Sequence, residues 1–488
     1  MSDLKRKSVS AVAWSAVDIF ARQSVQFIIS VILARLLAPE QFGVIAMLGL
    51  FIGLAGTLVN SGFGSALIQK KSLTDEDTSS VFYFNLFASF VMALLLCALS
   101  PWIARFYRMQ ILEPLACFMA LNLFLGSFGA VHWALLNRDL DFRTQMRISV
   151  TAAVISGALA ITLAATGWGV WSLAIQTVVS TVISTICVWW WRPWRPRFIF
   201  SFAALRSMFR FGSYLLFSGL LDTAYTQFYT LVIGKFYSAR DLGYYARADG
   251  TRMLPTNVIS TIVSRVAFPI FSAASGDRNL LQRGMRKAVE SLMLVNLPLM
   301  LGLLAVSRPL VLTLFGEKWL PCVPYLRVLC LAGILWPLHV INLNLLNAIG
   351  RTDLFFRLEI IKKVIGFSVL LIAANISILA MAWSSVLLGV VSYFLNAYYT
   401  GVHLGYPASR QLRDIFPLVL ASGFMFACVW PLTLISSFPA PVLLAVQVVT
   451  GGAIYLACCY FLKFHAFTEG VTELRLRLKL LSPLRSGA

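Results

Sequence analysis

Charge is what this sequence lacks most. Only 12% of its 488 residues are Asp, Glu, Lys or Arg, about half the roughly 25% of a soluble globular domain. That shortage excludes an ordinary water-soluble enzyme. Histidine is scarce as well: the four are His132, His339, His403 and His465, too far apart for a metal-ligand spacing. None of the eight cysteines (Cys97, Cys117, Cys187, Cys322, Cys330, Cys428, Cys458, Cys459) belongs to a CxxC pair. Nearly all sit in apolar stretches, so they read as small apolar residues and not as a disulfide or metal framework. No GxxxxGK[ST], HExxH or GxSxG string occurs, which leaves no phosphate-cradling loop, zinc helix or nucleophile elbow of those kinds. Asp139-Leu140-Asp141 spells the DxD of metal-dependent glycosyl transfer, but it lies in a basic loop with no nucleotide-binding domain around it. No catalytic residue, metal or cofactor is expected.

What is present is apolar length. Hydrophobic residues make up 59% of the chain, in blocks: Val81–Ala104 and Val364–Val402 contain no charged residue, and Ile148–Trp191 has none in 44 positions. A helix needs roughly 20 apolar residues to cross the hydrocarbon core, so each of the two longer blocks holds a pair of spans. Backbone groups in lipid must be satisfied internally, so the spans are helical. Fourteen are expected, at 9–37, 42–69, 80–104, 112–136, 147–166, 169–191, 208–236, 243–273, 288–315, 321–348, 359–374, 377–402, 414–436 and 441–463. The first apolar stretch, after Lys5, Arg6 and Lys7, runs to Leu37. That exceeds the core of about 7–15 residues of a cleavable leader, so it is expected to be retained.

The net charge of +20 tests this count. With both termini in the cytoplasm, cytoplasmic segments hold 28 of the 40 basic residues and the opposite side seven: Arg35, Arg105, Arg108, Lys235, Arg240, Arg308 and Lys318. That alternation follows the positive-inside rule. Nucleic-acid binding, the rival explanation of a basic chain, does not fit charge spread over alternate loops. The tail Glu473–Arg485 is basic and amphipathic and is expected to lie on anionic headgroups.

The chain also repeats itself. Leu33–Ala46 and Ile233–Ala246 match without gaps at an offset of 200 residues: a base, a short loop, an apolar residue followed by Gly43 or Gly243, then a new span. Both glycines are expected in a turn, where a positive φ is cheap. A weaker echo pairs Leu136-Asn137 and Trp171 with Leu346-Asn347 and Trp383. The expected organisation is a six-helix lobe at 1–200, a second at 201–405, two additional helices at 406–465 and a basic cytoplasmic tail at 466–488. Six spans per copy keep the two copies in one orientation, as in parallel-repeat transporters.

Ionisable side chains inside spans default to a functional reading. Ser15, Asp18, Arg22 and Gln26 share one face of the first span, and the offset lays Asp18, Arg22 and Gln26 over Ser218, Asp222 and Thr226, with Tyr225 and Tyr229 extending the second stripe. The eighth span adds Arg247, Asp249, Arg252 and Arg265; Arg247 and Arg265 are five turns apart and share a face. Asn60, Asn342, Asn344 and Asn347 are further polar candidates. Plainer roles stand beside these: Asp18 and Arg22 are spaced to neutralise each other, and Arg35, Lys235, Arg308 and Arg247 are placed to snorkel. The candidate binding set is Arg22, Asp18, Gln26, Asp222, Tyr225, Arg252, Arg265 and Arg247. Guanidinium outnumbers carboxylate among the charged candidates within the spans, which suits an anionic ligand with phosphate oxygens. Tyr and Trp suit sugar rings.

The run Trp14–Gln69, with Arg35-Leu36-Leu37-Ala38-Pro39-Glu40-Gln41-Phe42-Gly43 and its echo at Ile233–Ala246, resembles the polysaccharide-transporter branch of the multidrug/oligosaccharidyl-lipid/polysaccharide (MOP) exporter superfamily, most of all Wzx-type flippases of the colanic-acid exporter kind. The resemblance implies an all-α integral membrane fold, two six-helix lobes in a V plus two C-terminal helices. It implies a cationic cavity that takes an undecaprenyl-pyrophosphate-linked oligosaccharide across the bacterial cytoplasmic (inner) membrane by alternating access, for exopolysaccharide, capsule or O-antigen synthesis. Its expected partners are the lipid bilayer, the lipid-linked oligosaccharide, a polysaccharide polymerase and a chain-length regulator. With no ATP-cradling loop, the work would come from an ion gradient (H+ or Na+), from the membrane potential or from the substrate gradient. Two alternatives stay open: an ion-coupled multidrug or small-molecule antiporter of the same fold, and a membrane enzyme that polymerises or ligates glycans. The first favours a carboxylate-rich cavity. The second favours a large extracytoplasmic loop, and none here is longer than about 10 residues by the expected span limits.

Overall fold

A peptide in hydrocarbon has no water to bond, so a lipid-embedded chain must close its hydrogen bonds within each segment. The computed structural model obeys this: no strand occurs among the described residues. Those residues are 21–60, 62–70, 72–273, 277–434, 438–464 and 467–468, without the side chains of 210–212, 214–215, 257–270, 272–273 and 352. The helices are α1 (described over 21–36), α2 (Pro39–Met47), α3 (Gly49–Asn60), α4 (Phe63–Gln69), α5 (Asp75–Tyr107), α6 (Leu112–Arg138), α7 (Phe142–Ala165), α8 (Val170–Trp191), α9 (Phe202–Phe236), α10 (Ala239–Ala273), α11 (Arg278–Ala305), α12 (Ser307–Leu314), α13 (Val323–Ala348), α14 (Thr352–Ala374), α15 (Ile378–Leu404), α16 (Ala408–Val429) and α17 (Ala440–Phe461).

Among the described residues, ten helical stretches are long and apolar enough to cross a membrane: Pro39–Gln69, Asp75–Tyr107, Leu112–Arg138, Phe142–Ala165, Val170–Trp191, Arg278–Ala305, Glu317–Ala348, Ile378–Leu404, Ala408–Leu434 and Ala440–Phe461. The other four expected spans fall on α1, of which only 21–36 is described, and on α9, α10 and α14, where polar residues interrupt the apolar run. Large apolar side chains such as Phe87, Trp102, Phe217, Ile372 and Val449 point outward, as they do on a surface that faces lipid tails and not water. The chain is a multi-pass membrane protein.

The chain divides into two compact units, Met1–Ala246 and Arg247–Ala488. In the first, α5 packs along α6, α7 along α8, and α3 against α9. The end of α4 and the start of α5 are held by charge. Arg138 Nη1 donates to the carbonyls of Leu67 and Lys70, both at 2.7 Å, satisfying acceptors that a helix C-terminus leaves open. Thr74 caps α5, accepting from Asp77 N at 3.2 Å while the Asp77 carboxylate accepts from Thr74 N at 3.2 Å. Lys70 Nζ closes the corner on Asp77 at 2.7 Å.

The repeated glycines behave differently from the sequence expectation. Neither Gly43 nor Gly243 has a positive φ, and both lie inside helices, in α2 and α10. Their role is close approach. A Cβ on Gly43 would sit 1.7 Å from the carbonyl oxygen of Ala239, and one on Gly243 would sit 2.0 Å from that of Pro39. The two copies of the repeated corner therefore press backbone to backbone, each glycine against the start of the other's helix.

The second unit is built on α11, α13, α15 and α16 around Met285, Val289, Met293, Leu338, Ile341, Leu345 and Tyr393. A buried polar knot ties three of these helices. Thr400 Oγ1 donates to Asn342 Oδ1 at 2.7 Å, and the Asn342 and Gln411 amides bond each other at 3.1 and 3.2 Å. All three side chains are fully buried, and satisfied networks of this kind fix one arrangement of packed helices. Helix α17 is fastened by Tyr455 Oη donating to Leu294 O at 2.7 Å and Gln447 Nε2 to Val429 O at 3.2 Å.

Candidate functional site

The polar faces expected from the sequence can be followed one unit at a time. In the first unit, Arg22 and Gln26 are exposed one turn apart on α1, while Asp18 lies outside the described residues. On α9, Asp222 is exposed and Tyr225 half-buried, again one turn apart. Thr226 Oγ1 donates to Asp222 O at 2.8 Å. Thr57 and Thr223 hydroxyls meet at 3.1 Å between α3 and α9. Close contact there needs small residues: a Cβ on Gly49 would reach Gln227 Oε1 at 3.0 Å and one on Gly53 would reach Thr223 Cγ2 at 3.0 Å. Tyr229 of α9 stacks on Tyr245 of α10, with ring planes 7° apart.

In the second unit, α10 carries the guanidiniums. Arg252 is buried at 7% exposure and donates from Nη2 to Asp249 Oδ1 at 2.6 Å. Its stem lies against Gly333 of α13, where a Cβ would stand 3.5 Å from Arg252 Cδ and 2.7 Å from Met300 Sδ. Removing water from a guanidinium is costly unless a carboxylate compensates, and Asp249 supplies that charge. Arg247 is held differently, with Cζ 5.0 Å from the Phe315 ring centroid and 5.1 Å from that of Trp319, a cation–π seat. The backbone at 265 continues α10, and the side chain of Arg265 lies outside the described residues.

Other expectations take structural roles. The DxD string has both carboxylates engaged: Asp139 pairs with Arg192, and Asp141 caps α7 by accepting from Thr144 N at 3.1 Å. Lys235 Nζ donates to Phe106 O at 2.6 Å and lies 4.2 Å from the Phe106 ring. His132 is fully buried between Trp189 and Trp194, with Nε2 3.2 Å from Trp194 O. All eight cysteines are free thiols. Among the described residues no group of His, Cys, Asp and Glu could hold a metal ion.

One base within an expected span was not among the sequence candidates. Arg327 in α13 donates from Nε to Ser307 Oγ at 3.0 Å, and its Cζ lies 4.5 Å from the Trp430 ring. The signal that found Arg252, a base within an apolar run, would have found it too. The partners of Arg247 and Arg327 had no such signal, because Phe315, Trp319 and Trp430 lie more than sixty residues away in sequence.

Known proteins bear on this arrangement. Teichuronic acid biosynthesis protein TuaB of Bacillus subtilis is 28% identical over 97% of this chain and 99% of its own length. Lipopolysaccharide biosynthesis protein WzxC of Escherichia coli is 26% identical over 77% of this chain and 76% of its own. Succinoglycan biosynthesis transport protein ExoT of Rhizobium meliloti is 28% identical over 72% of each. Among solved structures, the lipid II flippase MurJ in an inward closed conformation superposes with a TM-score of 0.77 over 93% of this chain and 99% of its own, at 16% identity. An inward-facing MATE-family multidrug transporter of the MOP superfamily superposes with a TM-score of 0.60 over 79% of this chain and 98% of its own, also at 16% identity. These two likenesses show the fold alone: an all-helical architecture shared with both structures. The family model for polysaccharide biosynthesis proteins matches residues 32–324, more than half of the chain, and the chain belongs to that family.

Proposed function

We propose that this protein is a flippase that carries an undecaprenyl-pyrophosphate-linked oligosaccharide across the bacterial cytoplasmic membrane by alternating access, serving exopolysaccharide, capsule or O-antigen synthesis. The observation that carries the reading is Arg252: a guanidinium sunk in α10 at 7% exposure with one carboxylate beside it. An ionisable side chain inside a span defaults to a functional reading, and with Asp249 on Nη2, Arg252 Nε is buried with no hydrogen-bond partner among the described residues, which leaves room for a second anion. A diphosphate is such an anion, and guanidinium matches its oxygens bidentately. Relatives named for teichuronic acid, lipopolysaccharide and succinoglycan synthesis support a glycan cargo.

This reading assigns the head of the cargo to Arg22, Gln26, Asp222, Tyr225, Arg247, Arg252 and Arg265, with Asp18 modulating Arg22. It keeps the organisation into lobes at 1–200 and 201–405, two further helices at 406–465 and a tail at 466–488, with both termini cytoplasmic. An H+ or Na+ gradient supplies the work, and a polymerase and a chain-length regulator act on the exported unit.

Replacing Arg252 by Gln should abolish export and make the lipid-linked glycan accumulate on the cytoplasmic leaflet, while the protein stays in the membrane. Normal export from Arg252→Gln and Arg22→Gln alike would remove the assignment. Unchanged sensitivity to cationic drugs on deleting the gene would separate this reading from the antiporter alternative.

A further inference from the structure

A second cationic cluster lies in the second unit, outside the residues assigned to the cargo. A cavity of about 530 Å³ opens between the first turns of α11 and α16, within the size range of small-ligand pockets, roughly 300–1,000 Å³. Four guanidiniums line it, Arg283 and Arg286 from α11 and Arg410 and Arg413 from α16. Each pair is three residues apart and so shares a helix face. The acids nearby are already engaged. Asp414 accepts from Arg286 Nη2 at 2.9 Å and from Tyr406 Oη at 2.8 Å, and Glu290 accepts from Arg286 Nε at 2.9 Å. These bonds stand Arg286 upright at the wall.

The other three guanidiniums have no carboxylate within ion-pair distance among the described residues. Arg410 Nη1 donates to Gly405 O at 2.9 Å, and Arg283 Nε makes a long contact of 3.4 Å to Asn279 O. Arg413 makes no hydrogen bond to any described residue. The pocket therefore holds at least two positive charges in excess, with most of their N–H groups unspent.

What lies next to the pocket indicates the source of the anion. From Arg413, α16 continues with Phe416, Leu420 and Phe424 at i+3, i+7 and i+11, all on one face, and all three are exposed. A basic pocket that leads directly onto an outward apolar stripe matches a molecule with a phosphate at one end and hydrocarbon at the other. A free phosphate would make no use of the stripe.

We propose that this pocket seats the phosphate headgroup of an anionic phospholipid from the leaflet at that end of α11 and α16, with its acyl chains along Phe416, Leu420 and Phe424. The site is independent of the cargo reading, and its test does not involve export. Purified full-length protein is placed in nanodiscs of phosphatidylcholine with a minor fraction of phosphatidylglycerol, delipidated stepwise, and the retained lipid is measured by mass spectrometry. Wild type should retain phosphatidylglycerol in preference to phosphatidylcholine. Arg410→Gln with Arg413→Gln should bind it roughly 10–30-fold more weakly, at about three- to fivefold per basic residue near a charged surface. Exposed Arg206→Gln in the first unit should leave retention unchanged. If the double variant is not recovered folded, Arg413→Gln alone carries the test, since its guanidinium bonds nothing described in the protein. Equal retention of the two lipids, undiminished retention in the Arg410/Arg413 variants, or an equal loss in Arg206→Gln would overturn the proposal. Displacement of the lipid by inorganic pyrophosphate as effective as by short-chain phosphatidylglycerol would also overturn it, by making the site one for free anions.

Discussion

The two copies of the repeat begin alike and then diverge. Both corners start with a base at a helix end and a glycine pressed against the other copy, yet the chain beyond them is built differently. After the first corner the helix is interrupted twice, giving α2, α3 and α4, and Gly62 has a φ of 70° before α4. After the second it runs unbroken for 35 residues as α10. The residues at the matched positions explain the difference. Where α10 has Arg247, Asp249 and Arg252, the first copy has Met47, Gly49 and Ile52. The first copy uses its positions for close approach, with Gly49 and Gly53 against Gln227 and Thr223 of α9. The second uses them to hold charge on a continuous helix. One repeated pattern thus serves as a packing copy and a charged copy, and only the second carries an ion pair at these positions.

The sharpest way to break this comparison is at the glycines. Gly43→Val and Gly243→Val each drive a side chain into a backbone carbonyl, which no rotamer relieves. Both should lose folded protein, seen as loss of the monodisperse peak in detergent; overpacking elsewhere costs about 1–3 kcal/mol, and here the excess is larger because backbone must move. Tolerance of one but not the other would show that the corners are not equivalent.

Next in size is the ion pair. Arg252→Gln leaves Asp249 without its partner, whereas Arg252→Gln with Asp249→Asn removes both charges. The single variant should unfold at lower temperature than the double one, with a coupling of about 1–3 kcal/mol. Additive effects would mean that the pair is not coupled in the membrane.

A smaller effect belongs to the packing copy. Gly53→Ala brings a methyl to 3.0 Å from Thr223 Cγ2 and should cost about 1 kcal/mol. Adding Thr223→Ser removes that methyl but keeps the hydroxyl that meets Thr57, so melting temperature should recover. Smallest are the caps. Ser238 accepts from Asp241 N at 3.1 Å before α10, while Gln41 accepts from Ala38 N at 3.1 Å before α2. Ser238→Ala should cost about 0.5 kcal/mol and Gln41→Ala less, since Ala38 offers no side-chain acceptor in return.

Legibility followed how local each feature is. The corner was readable as a repeat, since it is fourteen consecutive residues in each copy. The reason for its glycines was not, because a turn and a close contact leave the same residue in the sequence and the contact is made with a chain segment 200 positions away. Arg247 and Arg252 stood out as exceptions to an apolar run. The arginines around the Tyr406–Asp414 pocket did not stand out, because just outside the expected spans they follow the same pattern as every other topology signal.

The sequence by itself determined that this is a helical membrane protein with a repeated architecture, because hydrocarbon leaves the backbone one way to satisfy its hydrogen bonds and apolar length alone reports it. The pairing of polar groups was decided only in three dimensions. Aromatic rings take Arg247, Asn342 meets Gln411 and Thr400 from three helices, and among the described residues three arginines beside Tyr406 have no acid at ion-pair distance, because desolvation and charge depend on which side chains meet across helices, and spacing along one helix does not encode that.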